Sequence, residues 1–267
     1  MSDLDVIKEI ELVIGKELTL CPTDINIIDY SARCTYLLND NQQVIGLNLR
    51  SCEPKLETID FLKDLTNLTL LDVSHNKLSD IGILKNIHNL KNIYLRYNRL
   101  SDISVLKNLT NLTELDLSSN QLSDINVLKN LPNLTELYLD RNQLSNISLL
   151  KYLPNLIQLN LDHNPLSDIS VLKYLPNITG LSLGNNQLSD ISVLKELHNI
   201  TRLHLNCIEL NDISVLKDLS SITQLSLRYN KLIDKFLTKS QRVFRAKTSA
   251  NGVNRLFEFA RGKGFEW

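Results

Sequence analysis

A phrase of 22 residues recurs along this chain, and no other feature restricts its folding so strongly. Thr110 to Leu131 reads Thr-Asn-Leu-Thr-Glu-Leu-Asp-Leu-Ser-Ser-Asn-Gln-Leu-Ser-Asp-Ile-Asn-Val-Leu-Lys-Asn-Leu, with close copies before and after it. Aligned on the asparagine of Leu-x-Leu-x-x-Asn, the residues Asn76, Asn98, Asn120, Asn142, Asn164, Asn186 and Asn230 share one column. Ile208 takes that place in an otherwise intact copy. Cys52 takes it in a divergent first copy, Val44 to Leu65, which carries two extra residues around Pro54. Nine copies run from about Val44 to about Leu237. A fixed period of this length signals stacked units, each too small to bury its apolar face alone.

Within one copy, Leu112, Leu115, Leu117, Leu122, Ile125, Leu128 and Leu131 follow neither a period of 2 nor one of 3.6, so no single strand or helix accounts for them. Leu115-Asp116-Leu117 alternates like a short strand. The chain must then turn, and the asparagine is the natural hinge, because its amide can satisfy buried backbone groups in its own coil and the next. Stacked coils would align these strands into a parallel sheet about 4.8 Å apart.

Leu112-x-x-Leu115-x-Leu117-x-x-Asn120-x-Leu122-x-Asp124-Ile125-x-x-Leu128-x-x-Leu131 resembles the short leucine-rich repeat of bacterial internalins and of a protein phosphatase regulatory subunit. The resemblance implies an α/β solenoid with a parallel sheet on the concave side and 3₁₀ or extended segments on the convex side. It also implies a scaffold for protein–protein interaction. A phosphatase-regulator-like subunit and an exported host-interaction effector without a conventional signal peptide are the alternatives. The opening Ser-Asp-Leu-Asp-Val-Ile is similar to the start of leucine-rich domains in bacterial Roco GTPases, but no Gly-x-x-x-x-Gly-Lys-Ser/Thr phosphate loop follows it.

Three segments are expected: a helix and hairpin cap over 1–43, the solenoid over 44–237, and a basic cap over 238–267. Val6, Ile7, Ile10, Val13 and Ile14 share one helical face, with Ser2 and Asp5 placed as a capping box and Gly15 as a stop. Thr35 to Leu38, a turn over Asn39 to Gln43, and Val44 to Leu49 read as a hairpin whose second strand opens the repeats. After Leu237, apolar residues flanking Asn251-Gly252 form two amphipathic stretches suited to covering the last coil. The ends carry opposite charge: residues 1–43 hold eight acids and three bases, and residues 238–267 hold seven bases and two acids. Overall net charge is −1, so nothing global attracts a polyanion.

The acidic amino terminus lacks the basic start and apolar core of a signal peptide, and no apolar run reaches a membrane span, so a cytoplasmic location is expected. Cys21, Cys34, Cys52 and Cys207 show no Cys-x-x-Cys pair. Reduced thiols are the expectation, with Cys52 filling its turn and a Cys21–Cys34 bridge in the cap as the alternative. The Asn-x-Ser/Thr sequons arise mostly from the repeat's own Asn-Leu/Ile-Thr phrase.

Asp80, Asp102, Asp124, Asp168, Asp190, Asp212 and Asp234 form a column, with Asn146 substituting once, and a lysine column follows five residues on. Capping of a convex turn by the aspartates and solvation by the lysines explain these columns better than calcium or polyanion binding. No metal, cofactor or catalytic site is expected, since no nucleophile elbow, His-Glu-x-x-His or phosphate loop is present, and His88 and His198 stand in repeat-opening slots. The informative positions are instead the variable ones between the strand leucines. Tyr94, Arg96, Tyr97, Asp116, Tyr138, Asp140, Arg141, Asp162 and His163 form the expected partner-binding patch, because tyrosine and arginine anchor interfaces. The aspartates favour a basic or mixed-charge partner. That partner is expected to be another protein rather than nucleic acid or a membrane, bound by a monomeric chain. Ile208 is expected to leave backbone groups unsatisfied, so that Ile208→Asn would raise the melting temperature.

Overall fold

The computed structural model describes residues 2–21, 33–52, 54–210, 212–230 and 246–247. Contacts divide the chain into two units, 1–134 and 135–267. The helix α1, Asp3–Ile14, opens the first. Ser2 Oγ accepts the Asp5 N–H at 3.3 Å while the Asp5 carboxylate accepts the Ser2 N–H at 2.9 Å, and Gly15 ends the helix in the left-handed region at φ 63°. Val6, Ile7, Ile10 and Ile14 are buried. Val13 stays 49% exposed, because the buried stripe is centred on Ile10 and Val13 lies at its margin.

Beyond α1, β2 (Thr35–Leu38) and β3 (Val44–Asn48) pair antiparallel. Asn39 tightens their turn by accepting the N–H groups of Asn41 and Gln43. A two-residue strand that the sequence did not announce, β1 (Thr19–Leu20), adds parallel to β2. Asp3 Oδ2 accepts the Val44 N–H at 2.7 Å and so ties the helix to the first repeat strand.

The cysteines pair otherwise than their spacing suggested. Cys34 is bridged to Cys52, not to Cys21, and the Cα atoms of the pair are 6.3 Å apart. Cys52 therefore does more than fill its turn: it fastens the cap hairpin to the first repeat, and both cysteines are buried. Closing a loop of this length, 18 residues, contributes about 3 kcal/mol. Cys34→Ser, or reduction of the native chain, is expected to lower stability by about that much. Urea denaturation followed by circular dichroism would show it, and identical midpoints with and without reductant would refute a stabilising bridge.

Three repeat strands complete the first unit: β4 (Leu70–Asp72), β5 (Asn92–Tyr94) and β6 (Glu114–Asp116). All pair parallel in strict register, Leu71 with Ile93 and Ile93 with Leu115. The second unit carries β7 (Glu136–Tyr138), β8 (Gln158–Asn160), β9 (Gly180–Ser182), β10 (Arg202–His204) and β11 (Gln224–Ser226). A last strand, β12 (Ala246–Lys247), runs antiparallel to β11. The remaining tail residues, with the amphipathic stretches read there, lie outside the described residues.

Opposite the strands, each coil makes one 3₁₀ turn, for example Ser104–Asn108 in the first unit and Ser170–Tyr174 in the second. The aspartate column caps these turns as expected: Asp102, Asp168 and Asp190 accept the N–H groups of Ser104, Ser170 and Ser192 at 2.7 to 2.8 Å. Those backbone bonds hold the three carboxyls below the usual carboxylate range. The lysines that follow are exposed.

The asparagine column lies inside. Asn98 donates to the carbonyls of Val73 and Leu95 at 3.1 and 3.0 Å, and its Oδ1 accepts the Leu78 N–H at 3.0 Å. Asn164 does the same for Leu139, Leu161 and Leu144. A second asparagine ladder was not foreseen: Asn111 and Asn133, both in sequons, donate to the carbonyls of His88 and Thr110 one coil earlier, each at 2.9 Å. At Ile208 the column is interrupted, and the buried Leu188 N–H is not given the side-chain acceptor that Asn98 gives Leu78 and Asn164 gives Leu144. Asn230 Oδ1 accepts the Ile208 N–H at 2.9 Å, the side chain is 1% exposed, and Asn206 is occupied instead with Ser226 and Arg228.

Candidate functional site

Alternation along each strand sends one leucine inward and its neighbours to the opposite sheet face. Just before each residue of the asparagine column, Ile208 included, a residue other than glycine takes the left-handed conformation: His75, Tyr97 and Ser119 in the first unit, and Arg141, His163, Asn185, Cys207 and Tyr229 in the second, at φ 53 to 58°. This geometry lets its N–H continue the ladder, as when Tyr97 donates to the Ser118 carbonyl at 3.0 Å and His163 to that of Gly184 at 2.8 Å. Bulky side chains pay about 1 kcal/mol or more there, and the column thereby projects Tyr97, Arg141 and His163 outward. All three are exposed.

In the first unit the strand positions place Tyr94, Arg96 and Asp116 half-buried on this face. The His75 and Tyr97 rings stack, with centroids 4.5 Å apart and planes at 28°. The Arg96 guanidinium lies 5.0 Å from the Tyr97 ring centroid, and Arg50 Nη2 sits 3.3 Å from His75 Nε2. Burial, then the charges of Arg50 and Arg96, push the His75 pKa down, which favours the neutral imidazole. Arg50 and His75 were in the right columns by sequence but outside the expected patch. They join it because they occupy the same columns on neighbouring coils.

Acids on this face turn inward more than alternation implies. Asp72 is 1% exposed and accepts the Ser74 N–H at 2.8 Å, and its burial raises its pKa. Asp116 accepts the Ser118 N–H at 2.9 Å. In the second unit Tyr138 is half-buried and donates to Glu136 Oε2 at 2.6 Å. Asp140 is buried, at 7% exposure, and accepts from the Asn160 amide at 3.0 Å. Asp162 accepts the Gly184 N–H at 2.6 Å, with burial raising its pKa. A residue in this column therefore serves the next turn before it serves a partner. Periodicity alone could not show that, because aspartate accepts backbone N–H groups so readily. Among the described residues no His, Cys, Asp and Glu group could hold a metal ion, and no helix is long and apolar enough to cross a membrane.

A sheet of short parallel strands backed by 3₁₀ turns at a 22-residue period defines a leucine-rich repeat solenoid, a protein-interaction scaffold. The leucine rich repeat family matches residues 66–122 and again 88–144, and the leucine rich repeats (2 copies) family matches 132–174. The chain is similar to internalin C2 of Listeria monocytogenes, with 30% identity and a TM-score of 0.68 over 85% of this chain and 96% of that one. Internalin InlF of the same organism is similar at 25% identity and a TM-score of 0.59, over 85% and 82% of the two chains. The leucine-rich ectodomain of the Arabidopsis thaliana membrane receptor kinase GASSHO1/SCHENGEN3, solved in complex with Casparian Strip Integrity Factor 2, shares the fold at 23% identity and a TM-score of 0.62, over 85% and 32%. Among curated proteins no sequence matches. This chain belongs to the internalin-like leucine-rich repeat proteins.

Proposed function

We propose that the chain grips another protein on the sheet face opposite its 3₁₀ turns, the concave face of the solenoid. The observation that carries this reading is the column of left-handed residues. It sets Tyr97, Arg141 and His163 outward at a backbone cost that glycine would avoid. Tyr94, Arg96 and Asp116 in one unit, and Tyr138, Asp140 and Asp162 in the other, supply the remaining contacts, with Asp140 acting by positioning Asn160. The plant ectodomain solved with its bound factor is a precedent for the fold as a binder, no more. No cofactor, metal or catalytic step enters this reading.

The test is capture of partners from the native source by the intact chain and by Tyr94→Ala/Tyr138→Ala. Removal of two aromatic anchors is expected to weaken capture by tenfold or more, at about 2 kcal/mol for each hot-spot residue. Undiminished capture would refute the sheet face as the binding surface. For location, the Cys34–Cys52 bridge supports the exported alternative over the cytoplasmic one, because disulfides persist in oxidising surroundings.

A further inference from the structure

On the turn side of the second unit, two neighbouring coils break a polar pattern. The last residue of each 3₁₀ turn is exposed, and elsewhere it is an asparagine or an acid, as at Asn108, Asn130 and Glu196. In Ser148–Tyr152 and Ser170–Tyr174 it is a tyrosine. These two turns pack side by side, and their rings stay 52% and 51% exposed. Farther along the first of these coils Ile157 is 41% exposed, in a column that threonine fills on either side, at Thr135 and Thr179. Half of this apolar surface gains no cover from the fold, and exposed apolar surface rimmed by polar groups marks an interaction site.

Charge is arranged around the rings as well. Lys151 Nζ lies 5.0 Å from the Tyr152 ring centroid, and Lys173 Nζ lies 5.2 Å from that of Tyr174. Among the described residues neither lysine forms an ion pair. The aspartate column is broken at Asn146, so residues 143–157 hold no carboxylate, and in the next coil Asp168 is engaged with the Ser170 N–H at 2.8 Å. A ring face attracts an ammonium without neutralising it, so each lysine keeps its charge and its N–H donors for a further group. Glu196 follows Tyr174 in the column and bounds the patch.

We propose that this flank of the second unit is a second docking surface, separate from the sheet face, for an extended segment of a partner protein in which carboxylates alternate with apolar side chains. Lys151 and Lys173 receive the carboxylates, and Tyr152, Tyr174 and Ile157 receive the apolar groups. Two lysines beside one aspartate are too few to hold a polyanion by counterion release, whereas exposed aromatic anchors suit a peptide.

The experiment titrates the full chain into three labelled probes: a peptide of glutamate and leucine with glycine spacers, its counterpart of lysine and leucine, and a uridine oligonucleotide. The glutamate–leucine peptide is expected to bind tightest. Tyr152→Asn/Tyr174→Asn, which restores the residue that Asn108 and Asn130 supply in other coils and so leaves the fold intact, is expected to weaken it about tenfold or more. Lys151→Gln/Lys173→Gln should weaken it about threefold to tenfold and remove most of its salt dependence. Glu196→Gln, which takes a carboxylate from the border, should tighten it. Lys85→Gln/Lys107→Gln removes the same charge from turns that lack a tyrosine and should leave the affinity within about twofold of the parent. Equal or tighter binding of the lysine–leucine peptide or of the oligonucleotide would overturn the proposal. So would an unchanged affinity in the tyrosine variant, a weakening by Glu196→Gln, or an equal loss in Lys85→Gln/Lys107→Gln.

Discussion

Asn98→Ala is expected to remove about 3 to 4 kcal/mol of stability, since a buried N–H left unmatched costs about 1 to 3 and each lost bond about 1. The asparagine makes three internal bonds, but they are not equivalent. The Val73 carbonyl also receives the Asn76 amide at 3.0 Å and the Leu95 carbonyl that of Asn120 at 3.0 Å, so both keep a donor when Asn98 is cut back. Leu78 N–H has Asn98 Oδ1 as its acceptor, and with the turn buried it is stranded. At about 2 to 4 °C per kcal/mol for a chain of this size, the melting temperature should fall by roughly 10 °C. Asn98→Asp separates the contributions: it retains the acceptor for Leu78 but points a carboxylate at two carbonyls, so its deficit should shrink as the pH falls and the acid protonates. A shift in Asn98→Ala within about 2 °C of the parent, or an Asn98→Asp deficit that does not respond to pH, would show that water fills the column.

Removing residues 1–43 is expected to convert a monomer into aggregate. The deletion takes away α1, which packs on the first 3₁₀ turn, and the strand β2 that pairs with β3. Leu47 and Leu49, both fully buried in the intact chain, would lose part of their cover, and β3 would present an unpaired edge. The cap's half of the Cys34–Cys52 bridge goes with it. Light scattering should give a single species of monomer mass for the intact chain and large or insoluble species for the truncation. A soluble, monomeric truncation would mean that 1–43 is an appendage and that the proposed boundary of the solenoid is misplaced.

The repeat was legible because its spacing has a single physical solution: leucines at strand and turn positions must all point to one interior, and their rhythm is set by the coil. The capping box of α1, the hairpin at Asn39 and the aspartate caps were equally readable, since each is a local bond between residues near in sequence. Two features were not. The Cys34–Cys52 bridge depends on how far a two-residue strand draws the cap over the first coil, and spacing does not carry that distance. Asp140 was read as outward-facing from alternation, whereas its carboxylate, like that of Asp72, folds back onto a donor on its own face. Such choices follow from side-chain reach and desolvation rather than from strand period.

The direction of the asparagine bonds bears on how the polypeptide leaves the ribosome. Leu78 N–H waits for Asn98, and Leu144 N–H for Asn164, in each case an acceptor 20 residues closer to the carboxyl end. A nascent coil cannot complete its own turn until the following one has emerged. At about 5 to 20 residues per second, that delay is on the order of one to four seconds per coil. A stalled chain in the middle of the solenoid therefore always holds one unfinished coil with its leucines uncovered, always at the growing end, where nascent-chain chaperones would find it.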